Sequence, residues 1–244
     1  MKRHCVYIIS MLLLLLPHCR AGEIERIQAK GEIVVSLNRG YPPFSMEKNG
    51  RIFGLDVDLA YLLADYLKVK VKFIQPQSYD QQIPKLLAGE SDIVIAAMTR
   101  TVERGLQVHF TAPYFEVSQA ALVRRNMLLD GAGSYFDLLE IQGLRLGVKA
   151  GTTHEKFARE LFPADTIKRY PTAAAAAEAL VKEEVDAMVA DSPFIRVWRS
   201  THVEHYQKIA ALLEPVTREF YAFAIRPGDP DFLNWLNLFV DQVR

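Results

Sequence analysis

The stretch MTRTVERG, residues 98–105, places two arginines within one helical turn of the apolar run DIVIAA (92–97). Thr101 can cap a single turn holding Val102, Glu103 and Arg104, with Gly105 ending it. Arg104 would then project from the edge of a strand. A guanidinium there can fork onto a carboxylate through two parallel hydrogen bonds, a task lysine performs poorly. Taken alone, it can equally be one more exposed arginine.

Three further stretches could do chemistry. In VKAGTTHEKF (148–157) Lys149 ends a strand, Gly151 permits a tight turn, and Thr152 with Thr153 opens a helix whose free N–H groups attract an anion. Thr152 to Glu155 also reads as a complete capping box, and a capped terminus can still offer its first N–H groups. Asp191, in DSP (191–193), closes the strand VDAMVA (185–190); its carboxylate can cap the next helix or take an ammonium. In YPPFSM (41–46) the prolines stiffen a loop, so that Tyr41 or Phe44 can form a preorganised apolar wall, Phe44 being the better core plug.

Enzyme signatures are missing. HEKFA (154–158) starts like a zinc helix but has Ala158 where the second histidine must stand, and HVEH (202–205) lacks a third ligand nearby. No nucleophile elbow, P-loop or dinucleotide fingerprint occurs. No catalytic residue, metal or cofactor is expected.

Alternating elements must position these groups. EIVVSL (32–37), KVKFIQ (70–75), DIVIAA (92–97), LRLGV (144–148) and VDAMVA (185–190) read as buried, largely parallel strands. Between them, Leu55, Leu59, Leu62, Leu63, Tyr66 and Leu67 recur at helical spacing, with Asp56 and Asp58 in the first turn. TAAAAAEALVKEE (172–184) is an Ala-rich helix suited to close packing on a sheet. Two extended runs, FEVSQAALVRRN (115–126) and AALLEPVTREFYAFAIRPGDP (210–230), interrupt the alternation. The pattern predicts an α/β protein of two lobes joined by two extended hinge strands, with a ligand cleft between them. The expected divisions are 22–120 for the first part of lobe 1, 121–215 for lobe 2, and 216–244 for a short return to lobe 1.

Residues 1–21 read as a signal peptide, with a cationic MKRH, an apolar stretch shorter than a membrane span, and small residues near Ala21. Both cysteines, Cys5 and Cys19, lie in or beside it, which excludes a disulfide framework; LPHC places Cys19 where a lipoprotein would carry its lipid. Removing the leader takes Lys2, Arg3 and Arg20 from 29 basic residues and none from 29 acidic ones, a net charge of −3. That balance argues against nucleic-acid binding. An exported, periplasmic or extracytoplasmic protein is expected.

In this order the stretches resemble the extracellular solute-binding proteins of family 3, the polar-amino-acid receptors of ABC importers. GLDVDLAYLLADYL (54–67) fits the family signature, and KGEIVVSLNRGYPPFSM (30–46), IPKLLAGESDIVIAAMTRTVERGLQVHFTAPYFE (83–116), LRLGVKAGTTHEKFA (144–158) and VDAMVADSP (185–193) match its other blocks. The resemblance implies a type II periplasmic-binding-protein fold that hinges shut on a zwitterion. It implies that Arg104 clamps the α-carboxylate, helped by Thr99 and by backbone N–H groups around Ala97 and Met98 and at Thr152 and Thr153. Asp191 would take the α-ammonium, and Tyr41 and Tyr79 would sandwich the side chain. Arg100 falls to the cleft rim or solvent. Asn38 stands where many members have an aspartate, and with Lys149 nearby it argues against arginine or lysine as ligand. Ala97 replaces a frequent glycine or serine, and the chain stops where relatives carry a further helical segment. The implied partners are an amino acid and an ABC permease, the implied state is a monomer, and the rival reading is a cyclohexadienyl-dehydratase-like enzyme or a sensing module on the same fold.

Overall fold

β-Branched runs separated by helical segments can bury both faces only by stacking as βα units. In the computed structural model, which describes residues 22–38, 40–128 and 131–244, they do so twice. The expected leader, its cleavage point and Cys19 lie outside the described residues. No described helix is long and apolar enough to cross a membrane.

The first set runs α1 (Glu23–Lys30), β1 (Glu32–Ser36), the hairpin β2 (Met46–Lys48) and β3 (Arg51–Phe53), α2 (Leu55–Leu67), β4 (Lys70–Ile74), α3 (Gln82–Leu87), β5 (Ile93–Val94), α4 (Val102–Gly105) and β6 (His109–Phe110). After β7 (Phe115–Val117) come β8 (Gln119–Arg124), β9 (Leu146–Lys149), α5 (Thr153–Leu161), β10 (Ile167–Tyr170), α6 (Ala173–Val181), β11 (Ala187–Asp191), α7 (Ser192–Thr201) and β12 (Ile209–Leu212). The chain then returns through β13 (Glu219–Tyr221) and β14 (Ala224–Ile225) to α8 (Pro230–Val243). One five-stranded sheet has the order β4-β1-β5-β14-β6 and the other β10-β9-β11-β8-β12. Strand β1 runs parallel to β4 and β5, and β9 parallel to β10 and β11. Between the sheets β7 and β13 pair antiparallel, Glu219 opposite Val117 and Tyr221 opposite Phe115. These two short strands occupy the places where the alternation was interrupted.

The structure corrects several expectations. On α2 the buried face is Val57, Leu59, Ala60, Leu63, Ala64 and Leu67, whereas Leu62 and Tyr66 are 41% and 49% exposed. The apolar stripe is therefore narrower than the leucine spacing predicts, and alanines fill it because the helix lies close to the sheet. Asp56, a first-turn acid as expected, is fully buried, whereas Asp58 is exposed. The run DIVIAA keeps regular pairing only at Ile93 and Val94, because Ala97 turns into the left-handed region with φ of 47°. The alanine run behaves as expected: Ala173, Ala176, Ala177 and Ala179 are buried, with α6 packed over β9 and β11.

Gly54, just before α2, has φ of 130°, and a Cβ there would stand 2.5 Å from the Phe44 carbonyl oxygen. Only glycine fits a backbone approach that close, which is why the acid-rich helix begins with one. The largest buried cluster joins the two sets of units through aromatic contacts: the Tyr41 and Phe194 rings stack 5.3 Å apart, and Phe44 meets Tyr221 edge-on at 5.1 Å.

Candidate functional site

Strand ends and helix starts of both sets face one narrow slot. Asn38, Tyr41, Tyr79, Ala97, Thr99 and Arg104 line it from the first set; Lys149, Thr152, Thr153, His154 and Asp191 line it from the second. Ten of the eleven sequence-derived positions thus come together. Met98 is not among the lining residues: its side chain packs in a small buried cluster with Tyr79, Val94, Ala96, Val108 and Ala224.

Arg104 is held by the turn predicted for it. Thr101 Oγ1 accepts from the Arg104 backbone N–H at 3.2 Å, and the guanidinium donates to the Thr99 carbonyl at 2.8 Å. It also reaches across to the Gly151 carbonyl at 3.4 Å and lies 5.7 Å from the centre of the Tyr79 ring. Two carbonyls do not neutralise a guanidinium, so its remaining donors suit an anion.

The expected backbone donor at Ala97 is already used. Its N–H bonds to Asp56 Oδ2 at 2.7 Å, while Tyr114 donates to Oδ1 of the same carboxyl at 2.7 Å. Asp56 therefore holds the left-handed turn at the floor of the slot. Burial raises its pKa to about 7, even though both hydrogen bonds favour the charged form. The capping box at Thr152 is also altered. Thr152 Oγ1 accepts from the Glu155 N–H at 3.3 Å, but the Glu155 carboxylate takes the Gly151 N–H at 2.9 Å instead of returning to Thr152. Thr153 Oγ1 donates to Glu219 at 3.1 Å.

Asp191 makes no side-chain cap to α7. Its Oδ2 accepts from the Tyr41 hydroxyl at 2.6 Å and from the Tyr221 hydroxyl, and His154 Nε2 lies 3.2 Å from Oδ1. That last pair has the distance of an ion pair without hydrogen-bond alignment, and both atoms are buried without a hydrogen-bond partner among the described residues. For Asp191, burial acts upward, but the charge and proximity of His154 and the two tyrosine hydroxyls outweigh it, so its pKa is lowered. For His154, burial acts downward and Asp191 prevails, so its pKa is raised. Burial, reinforced by the Asp191 charge, pushes the Tyr41 and Tyr221 hydroxyls well up, which keeps them donors.

Lys149 is 4% exposed. Its ammonium donates to Asn38 Oδ1 and lies 4.4 Å from the centre of the Tyr79 ring and 5.4 Å from that of Tyr41. The two aromatics expected to flank a ligand side chain therefore flank this lysine. Burial lowers its pKa to about 7, with Asp191 giving partial compensation.

His154, Tyr221 and Asp56 are the residues that spacing alone passes over as parts of the slot. His154 sits in the stretch tested only as a zinc helix, and Tyr221 lies in the returning extended run, where nothing marks it locally. Asp56 belongs to the signature helix, so an acid in an otherwise apolar face is the signal that could have found it.

Two α/β units, a paired hinge and a polar slot between them define the class: a type II periplasmic binding protein. The family follows from the sequence match. Residues 33–244 fit the model of the bacterial extracellular solute-binding proteins, family 3, and the chain belongs to that family. An ABC transporter arginine-binding protein of Escherichia coli is 29% identical, over 86% of this chain and 84% of that protein. Among solved structures, an ABC-transporter binding component from Wolinella succinogenes, complexed with lysine, is 39% identical, with a TM-score of 0.79 over 88% of this chain and 90% of its own. An ancestral amino-acid-binding protein, described as a precursor of cyclohexadienyl dehydratase, is 36% identical, with a TM-score of 0.79 over 91% of this chain and 93% of its own.

Proposed function

We propose that this protein is an extracytoplasmic receptor that closes on a single amino acid and delivers it to an ABC permease, without catalysing a reaction on it. The observation that carries the reading is the pairing of Arg104 and Asp191 in one slot formed by both α/β units. A zwitterion requires a cation for its carboxylate, an anion for its ammonium and exclusion of water from both. Arg104 offers unsatisfied donors, and Asp191 Oδ1 is a buried acceptor without a hydrogen-bond partner. Family membership and the named functions of the relatives point the same way.

Binding between hinged lobes also accounts for the division of the slot. Neither wall alone holds both charges, so a ligand gains its full set of contacts only on closure. The protein acts as a monomer in this reading, and its export follows from the leader expected at residues 1–21.

The test is thermal unfolding of the purified protein against all standard L-amino acids. At least one should raise the melting temperature, and Arg104→Ala and Asp191→Asn should each remove that shift. If no amino acid stabilises the protein while prephenate-like acids are turned over, the enzyme reading replaces this one.

A further inference from the structure

We propose that the amino acid captured here has an acidic side chain, whose carboxylate sits on Lys149 between the Tyr41 and Tyr79 rings. This rests on the receptor reading above, with Arg104 and Asp191 holding the two ends of the zwitterion.

The argument is a charge balance in a confined space. Asp191 is the sole carboxylate among the described residues lining the slot, against Arg104, Lys149 and His154 as bases. His154 lies 3.2 Å from Asp191 Oδ1 and would share that carboxylate with the ligand ammonium. A bound zwitterion adds one charge of each sign, the carboxylate going to Arg104 and the ammonium to Asp191 Oδ1. Lys149 is then left with neutral direct contacts, the Asn38 amide oxygen and two aromatic rings, and with only a share of the Asp191 charge. The nearby acid Glu219 is occupied elsewhere, accepting from Thr153 at 3.1 Å and from Gln119 at 2.6 Å.

A buried ammonium without a counter-charge is unfavourable, and the depressed pKa of Lys149 has the same cause. The Asn38 oxygen satisfies one of its three donors, leaving donors for a ligand that brings the missing negative charge. A guanidinium or ammonium side chain in the same slot would face Lys149 as a like charge in a poorly solvated place. The cationic ligands named for relatives therefore do not transfer to this chain.

Isothermal titration calorimetry of the purified protein with L-glutamate, L-aspartate, L-glutamine, L-asparagine, L-arginine and L-lysine decides the matter. One acid should bind at least about tenfold more tightly than its own amide, and neither arginine nor lysine should match it. Lys149→Met should reduce the acid-to-amide preference to under about threefold, and Asn38→Asp, which supplies Lys149 with a carboxylate, should weaken the acid by at least about tenfold. If either variant fails to fold, the ligand order of the unaltered protein is decisive alone. Equal binding of acid and amide, or tighter binding of arginine or lysine, overturns the inference while leaving the receptor reading intact. Binding of none of the six, with another amino acid giving the thermal shift, does the same; no binding by any amino acid overturns both.

Discussion

The two walls of the slot are built differently. On the first wall, most polar groups find their shorter bonds within their own α/β unit: Arg104 on the Thr99 carbonyl at 2.8 Å, against 3.4 Å across to Gly151, Ala97 N–H on Asp56, and the Tyr79 hydroxyl on the Ala97 carbonyl at 3.2 Å. On the second wall, the charged groups reach across: Lys149 donates to Asn38, and Asp191 receives the Tyr41 hydroxyl. A wall satisfied from within keeps its shape whether or not the units meet. A wall whose charges rely on the opposite unit acquires its geometry only on closure, which makes the first wall the natural place for a ligand to land.

The difference predicts a graded series of effects. Arg104→Ala removes a charge from the preformed wall and should weaken ligand binding by roughly 100-fold, since charge-assisted hydrogen bonds contribute about 1.5–3 kcal/mol each. Titration calorimetry should show the loss without a fall in the melting temperature of the free protein. Gly151→Ala comes next. Gly151 has φ of 75°, and a Cβ there would stand 2.9 Å from the Asp80 backbone nitrogen on the opposite unit. Closure should be hindered, with affinity down by about tenfold or more, and small-angle scattering should show a ligand-saturated protein still more open than the unaltered one.

Asp56→Asn tests the support beneath the first wall. In the folded chain the Asp56 carboxyl keeps its proton up to about 7, against 3.8 for the ordinary group. The folded state thus holds an extra proton in that window, so this group's favourable contribution is complete below the lower value and is lost as pH rises through the upper one. The stability advantage of the unaltered protein over Asp56→Asn should shrink from pH 4 to pH 7 in denaturant titrations. A constant gap would show that Asp56 ionises normally. The smallest effect is expected at the exposed pair of Lys156 and Glu103, 2.5 Å apart across the mouth of the slot. Lys156→Ala should change affinity by less than about threefold, and the change should vanish at high salt.

Much of this arrangement was legible in the sequence because it is local. The Thr101 turn, the strand end at Lys149 and the α/β alternation each depend on residues a few positions apart. What escaped was non-local. That Tyr221 would bond to Asp191, that Asp56 would use the Ala97 N–H, and that Lys149 would lie between two tyrosines depend on partners 30, 41 and at least 70 residues apart in the chain. The misread face of α2 has a related cause: leucine spacing gives a helix and its period, but which flank stays exposed depends on how closely the helix approaches the sheet.

At Gly151 the main chain of one half meets the backbone nitrogen, Cα and Cβ of Asp80 on the other, and the glycine itself puts no side chain between them. The depth of the closed slot is consequently gauged by the backbone, whose dimensions do not change when a lining residue is substituted. Side chains such as Asn38 and Lys149 can then be exchanged like the wards of a lock, altering which solute is accepted while the travel of the mechanism stays the same.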